Sequence, residues 1–222
     1  MTWLEVGLVT VCLRLCTMKT AVTKTVATPA DLPRHVALLR GINVGGTNKL
    51  PMSALATIFT DAGCSSVRTY IQSGNVVFSA ETIDDLGPHI SAEIRAQFGI
   101  HVPVILRSAA EMDGLLHDNP FVKAGVTAEV LHVYFLADAP SARDAKTLDP
   151  ERSPGDSFVV SGREIYLHLP GGVARTKLTN VYFDKALGTV STMRNWRTVG
   201  TLREWLGFFP DDDPSTKRVR NS

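Results

Sequence analysis

The chain is poor in cysteine, close to neutral and without a long apolar run, and each shortage removes a class of function. Its 222 residues hold three cysteines, Cys12, Cys16 and Cys64. A set so sparse and odd excludes a disulfide framework and fits a reducing compartment, so the cytoplasm is the expected location. Cys12 and Cys16 lack the two-residue spacing of a zinc knuckle and no histidine stands near them, so no metal site is expected. With 23 Lys and Arg against 22 Asp and Glu, the whole molecule has no field for a phosphate backbone, and nucleic acid would need a local basic cluster. The apolar run Leu8–Leu15 is broken by Arg14 and is too short to cross a bilayer. A signal peptide would carry positive charge ahead of that run, where Glu5 stands instead. Residues 1–30 therefore read as a disordered extension, or as one added by a start codon placed before a true start at Met18. Residues 210–222, with Asp211-Asp212-Asp213 and then Lys217, Arg218 and Arg220, read as a disordered tail.

Catalytic signatures are equally scarce. There is no Gly-x-Ser-x-Gly elbow, no His-Glu-x-x-His and no carboxylate cluster with metal spacing. The sequence assigns no catalytic residue and calls for no cofactor, and whether the protein is an enzyme stays open.

What is present is ordinary globular composition, 44% hydrophobic and 20% charged, enough for one sizeable core or two small ones. Val36–Leu39 is a short continuous apolar run, the mark of a strand buried on both faces. Leu50–Ala62 has helical spacing, with Pro51 in the first turn and Gly63 as stop. Val67–Gln72 and Val76–Ser79 form a hairpin around Ser73-Gly74-Asn75. A helix with Ile90, Ile94 and Phe98 and a strand at Val102–Leu106 complete β-α-β-β-α-β, the ferredoxin-like unit. Its first and third strands are the apolar ones, so they should be central, and the sheet face without helices should be covered by the second half.

That second half repeats the order. Ser108 and Glu111 make a capping box. Val130–Leu136 is a strand, Phe158–Ser161 and Ile165–Leu169 a hairpin, and Leu178–Leu187 a helix. The final strand is then missing; Met193, Trp196, Val199, Leu202 and Trp205 recur every three residues and predict a closing helix. The expected fold is thus α+β, with two ferredoxin-like subdomains over residues 31–118 and 119–209. The second is degenerate and closed by a C-terminal helix, and there is no convincing sequence repeat.

Five segments look chemical: Arg40–Lys49, Tyr70–Asn75, Asp118–Phe121, Arg175–Asn180 and Arg194–Val199. In these segments the chain resembles the widespread bacterial family "domain of unknown function 1697". The stretch Val36–Met52 carries most of the likeness, with Tyr70–Phe78, Lys177-Leu178 and Arg194–Val199 following in the same order. The resemblance spans residues 34 to 208 and implies an α+β fold of two related subdomains. It supplies no activity, substrate or catalytic residue. The chain departs from the family pattern at His35, where Tyr is usual, at Thr176, where Ser is common, and at Arg197, where Asn is common.

The physical reading of these segments is a site of donors. Arg40 leaves a buried strand, and Gly45-Gly46 frees the backbone just before a helix whose first N–H groups favour an anion. Lys49 stands at the same helix entry, where cation and dipole repel unless an anion intervenes. The competing reading is a turn in which Asn43 and Asn48 bond their own backbone. Gln72 and Asn75 can present amides, or simply build the hairpin turn. Arg175 and Lys177 sit at a predicted helix start, and Arg194 flanks the core residue Trp196. Arg40, Asn43, Gly45, Gly46, Asn48, Lys49, Gln72, Asn75, Arg175, Lys177 and Arg194 are therefore the candidate ligand residues. The expected ligand is a small molecule bearing phosphate or carboxylate, held between the halves. Two alternatives stand: an RNA-binding module, which would need exposed aromatics on the central strands, and an interaction scaffold without ligand, in which the donors pair internally.

Overall fold

The computed structural model describes residues 32–207, and the expectations for residues 1–30 and 210–222 lie outside the described residues. Two four-stranded antiparallel sheets face each other across a shared core. The first half runs β1 (Arg34–Leu39), α1 (Met52–Asp61), β2 (Ser65–Tyr70), β3 (Asn75–Ser79), α2 (Leu86–Phe98) and β4 (Val104–Ser108). Its sheet order is β2-β3-β1-β4, so the two most apolar strands are central. After α3 (Ala109–Asp118) and α4 (Pro120–Lys123) the second half runs β5 (Leu131–Leu136), α5 (Ala142–Ala145), β6 (Ser157–Ser161), β7 (Glu164–His168), α6 (Asn180–Leu187) and β8 (Ser191–Asn195), and α7 (Trp196–Leu206) follows. Its sheet order is β6-β7-β5-β8, the same arrangement.

The expected degeneracy of the second half is therefore corrected: the final strand exists. Its sequence, Ser-Thr-Met-Arg-Asn, has one large apolar residue, so it shows no strand signal. The three-residue recurrence from Met193 straddles its end and the start of α7. Asn195 closes the strand and caps the helix, its Oδ1 accepting from Thr198 N at 2.7 Å. The helix α6 also begins later than the sequence suggests. Thr179 is the cap of α6, so Arg175 and Lys177 lie in the loop before it and not at a helix start.

Each sheet is buried on both faces, for different reasons. Outer cores lie under helices: Leu55, Phe59, Ile90 and Ile94 against Ala37, Leu39, Val76 and Phe78 in the first half, and Phe183 and Leu187 against Tyr134, Ile165 and Leu167 in the second. The inner core is joint property. Val36, Leu38, Val77 and Ile105 meet Val133, Phe135 and Tyr166, with Met112 and Leu115 of α3 and Val199, Leu202 and Leu206 of α7 among them. The open sheet face an RNA-recognition module presents is accordingly not available on either half. No helix among the described residues is long and apolar enough to cross a membrane.

Candidate functional site

The strand registers superimpose one half on the other, and two buried arginines mark the equivalence. Val36 pairs with Arg107 across β1 and β4, and Val133 pairs with Arg194 across β5 and β8. Leu38 pairs with Asn75, and Phe135 with Glu164. Each arginine leaves the last strand of its own half and enters the other half at the corresponding place. Arg107 Nε donates to Glu164 Oε1 at 2.8 Å, and its Nη2 donates to Leu136 O at 2.8 Å and Arg163 O at 2.9 Å. Arg194 Nε donates to Asn75 Oδ1 at 2.5 Å, and its Nη2 donates to Leu39 O, Ser73 O and Gly74 O at 2.8, 3.2 and 3.1 Å. The acceptors correspond by place: end of the first strand, hairpin turn, first residue of the third strand, with Ser73 O an additional acceptor in the turn that Arg194 meets.

Arg194 keeps nothing for a ligand. Its Nη1 donates to Thr192 Oγ1 and Met193 O at 2.8 and 2.7 Å, so all three nitrogens are engaged. Its guanidinium has no carboxylate partner among the described residues, and burial lowers its pKa to about 10. A fan of carbonyls and one amide oxygen stands in for water. Gly74 belongs to the same device: a Cβ there would lie 2.7 Å from Leu39 Cβ, and its φ is +78°, so only glycine brings this turn to Arg194. Asn75 is fully buried; besides accepting from Arg194 it donates to Tyr70 O and Ser73 Oγ, both at 3.1 Å. These two residues, expected at a ligand, tie the halves together. Arg107 is absent from the candidate set, because a single arginine in an apolar strand carries no motif. Its signal was the pair Arg-Ser at the end of β4 beside Arg-Asn at the end of β8, in each case an arginine followed by the helix cap.

The glycine loop is likewise built from its own groups. Asn43 Nδ2 donates to Leu50 O and Gln72 O, both at 2.9 Å, and its Oδ1 accepts from Leu50 N at 2.9 Å. Asn48 Nδ2 donates to Gly41 O at 2.9 Å. Gly45, Gly46 and Lys49 are exposed on the tip, and Gln72 is exposed beside it. Arg40 turns away from the tip and forms an ion pair with Asp184 of α6, whose other oxygen accepts from Ser191 Oγ at 2.6 Å. Arg40 thus links the halves from the same side as Arg194.

The remaining expected cations, Arg175 and Lys177, are exposed in the second half, and there the structure forms an open basic pocket. Arg152, Thr179, Val181, Tyr182, Lys185 and Ala186 line about 460 Å³. The Arg152 guanidinium lies 4.1 Å from the Tyr182 ring centroid, and its Nε donates to Lys177 O at 3.2 Å. Tyr182 is held in turn, its hydroxyl accepting from Asp149 N at 2.8 Å. Among the described residues Arg152, Lys177 and Lys185 take part in no ion pair. The eleven expected residues therefore do not converge: Arg40, Asn43, Asn48, Asn75 and Arg194 are bonded internally, Gly45, Gly46, Lys49 and Gln72 sit at the loop tip, and Arg175 and Lys177 stand beside this pocket's loop. Sequence reading missed Arg152 and Lys185; the one signal was the three cations Arg175, Lys177 and Lys185 on either side of Tyr182, and Arg152 had none.

A family model described as "Protein of unknown function (DUF1697)" matches residues 32–166, more than half of the chain. The chain belongs to that family. The match ends within β7, so α6, β8 and the part of the pocket wall from Thr179 to Ala186 fall beyond it, while Arg152 lies within it. No curated protein matches. Among solved structures, a conserved bacterial protein from Streptococcus pneumoniae is similar over 79% of this chain and 99% of its own, at 22% identity and a TM-score of 0.63. At that identity the likeness speaks for the fold alone.

Proposed function

We propose that this family member binds a small molecule bearing phosphate or carboxylate, and that the ligand sits on the second half, against Arg152, Lys177 and Lys185. One observation carries the reading: Arg152 is positioned by stacking on Tyr182 and by its Nε bond, while its terminal nitrogens meet no carboxylate among the described residues. A guanidinium held in place without a counter-ion favours an anion, because charge-assisted bonds are then made without ordering a flexible side chain. The pocket volume suits a small metabolite, and Val181, 68% exposed, gives it an apolar rim. A melting assay of the full chain against inorganic phosphate, sugar phosphates, nucleotides and dicarboxylates tests this. A concentration-dependent rise is expected, reduced in Arg152→Ala and in Lys185→Ala. No rise with any anion, or an equal rise in both variants, overturns it.

A second reading is favoured by a different observation. Five of the expected ligand residues are bonded internally, the pattern of an interaction scaffold without ligand. The anion panel separates the two readings directly. We further read each half as a ferredoxin-like unit, supported by its strand order and connectivity, and place the protein in the cytoplasm, supported by the buried free thiol of Cys64.

A further inference from the structure

The register that pairs the two arginine clasps also pairs a groove that is filled with one that no described residue fills. In the second half α4 lies against β7. Its Phe121 ring is 5.8 Å from that of His168 and packs on the core that contains Tyr166. In the first half the equivalent groove, between β3, β2 and the end of α7, is covered by no described residue. It encloses about 160 Å³ and is lined by Arg34, Ser66, Arg68, Val77, Ser79 and Trp205 among others.

The lining differs from its counterpart in one direction. Arg34 takes the place of Leu131, Val77 of Tyr166 and Ser79 of His168. Arg68 takes the place of Val159. Two aliphatic side chains have become cations, and two rings have become smaller groups, one of them a hydroxyl. The filled groove is apolar and receives a phenyl ring; the open one is enlarged and basic. A water occupies about 30 Å³, so the space exceeds a single water and admits a tetrahedral anion.

Arg68 is positioned rather than free-swinging. Its guanidinium carbon lies 3.9 Å from the Trp205 ring centroid, and Trp205 meets Tyr70 edge-on at 5.3 Å. Neither Arg34 nor Arg68 takes part in an ion pair among the described residues. Two guanidiniums around one small space repel each other until an anion lies between them.

We propose that this groove is a second, separate binding site, for a compact oxyanion: inorganic phosphate or sulfate, or the terminal phosphate of a larger molecule. Arg34 and Arg68 are its charged donors, and Ser66 and Ser79 supply hydroxyls. The site shares no residue with the pocket around Tyr182.

The test follows the Trp205 indole N–H resonance of the full chain, assigned with Trp205→Phe, at low ionic strength. Inorganic phosphate is titrated first, phenyl phosphate second, and chloride at matched ionic strength serves as control. A saturable shift with phosphate is expected. Phenyl phosphate binding more tightly would identify the anion as the end of a larger molecule; equal or weaker binding would identify the free ion. The pair Arg34→Leu with Arg68→Val gives the groove the second half's residues, and it should weaken binding by at least roughly tenfold. Arg152→Ala should leave it unchanged, which keeps this site distinguishable from the pocket proposed above. The single variants Arg34→Gln and Arg68→Gln serve if the pair fails to fold. No saturable shift with either phosphate, a shift that chloride reproduces, or full affinity in the arginine variants overturns the proposal.

Discussion

The two halves share one plan and differ in how they hold charge. In the clasp on Arg107 the acceptor of Nε is the carboxylate of Glu164, and a second pair, Arg163 with Glu111, stands beside it. In the clasp on Arg194 the corresponding acceptor is the amide of Asn75. Both arginines are desolvated and both have a lowered pKa, but Glu164 works against the shift at Arg107, whereas burial is the sole cause at Arg194. The comparison teaches that the cross-sheet tie needs a fork of donors more than it needs an ion pair. A buried guanidinium is tolerated without a counter-charge when carbonyl oxygens surround it.

The most drastic way to break the comparison is to separate its terms. Residues 32–125 expressed alone would expose Val36, Leu38, Val77 and Ile105, which lie in the joint core, and would leave Arg107 without its partners. The fragment is expected to aggregate or to melt without cooperativity. A soluble, monomeric, cooperatively melting fragment would show that the joint core is dispensable. Size-exclusion chromatography and calorimetry distinguish the outcomes.

Next in size are the arginines themselves. Arg107→Met removes one partner of a buried pair and strands Glu164, whose side chain is 16% exposed; a loss of about 3–5 kcal/mol is expected. Arg194→Met strands carbonyls and an amide but no charge, and it relieves a desolvated cation, so about 1–3 kcal/mol is expected. Denaturant unfolding of both variants measures the difference. An equal loss would mean that Glu164 contributes nothing as a charge. Asn75→Asp sharpens the same point. It would give Arg194 a carboxylate, yet it forfeits the two bonds that Asn75 donates to Tyr70 and Ser73, so no gain in stability is expected.

The sequence displayed this symmetry only in part. The central strands, the hairpins and the capping box on Ser108 were legible because each rests on local chemistry: continuous apolar runs, Gly at a turn, Ser followed by Glu. The strand Ser191–Asn195 was not, because its partner strand β5 buries it and its own side chains carry no period. The candidate site fared worse. Arg194, Asn75 and Arg40 were read as ligand donors because an isolated polar residue beside a strand carries no mark of its partner. The partners that join Arg194 to Asn75 and Leu39, and Arg40 to Asp184, lie more than a hundred residues away in the chain, in the opposite half. Arg152 was invisible for the same reason, since its value comes from the ring of Tyr182 beneath it.

A smaller effect is expected from the ion pair that accompanies the Arg194 clasp. Arg40 and Asp184 are partly exposed, at 25% and 19% for their side chains, so solvent screens much of the attraction. Arg40→Ala should cost about 0.5–1 kcal/mol, and less at high salt. A much larger loss would mean that Arg40 shares the structural weight of Arg194, and thermal unfolding at two ionic strengths decides it.

The finest comparison is between two histidines at equivalent positions. His35 pairs with Ser108 across β1 and β4, and His132 with Asn195 across β5 and β8. Both are buried, and the Nδ1 of each has no hydrogen-bond partner among the described residues. Burial is the main cause that lowers both pKa values below 6.5, opposed by a backbone carbonyl in each case and at His35 also by the charge of Glu111. The unfolded chain therefore takes up protons before the folded one does. Stability is fully present above the unfolded pKa and declines as pH falls below 6.5 toward the lowered folded values. That decline begins near pH 6.5, above the range in which ordinary carboxylates titrate. Replacing both by Gln should lower stability at neutral pH, because the Nε2 bond to Ala80 O at 3.2 Å is lost, yet flatten the profile between roughly pH 7 and 5. Each single variant should remove part of the slope. His132 should contribute the larger part, since it lacks the help of Glu111. A profile that stays steep in the double variant would place the titration elsewhere, and a larger share from His35 would mean that Glu111 does not reach its ring.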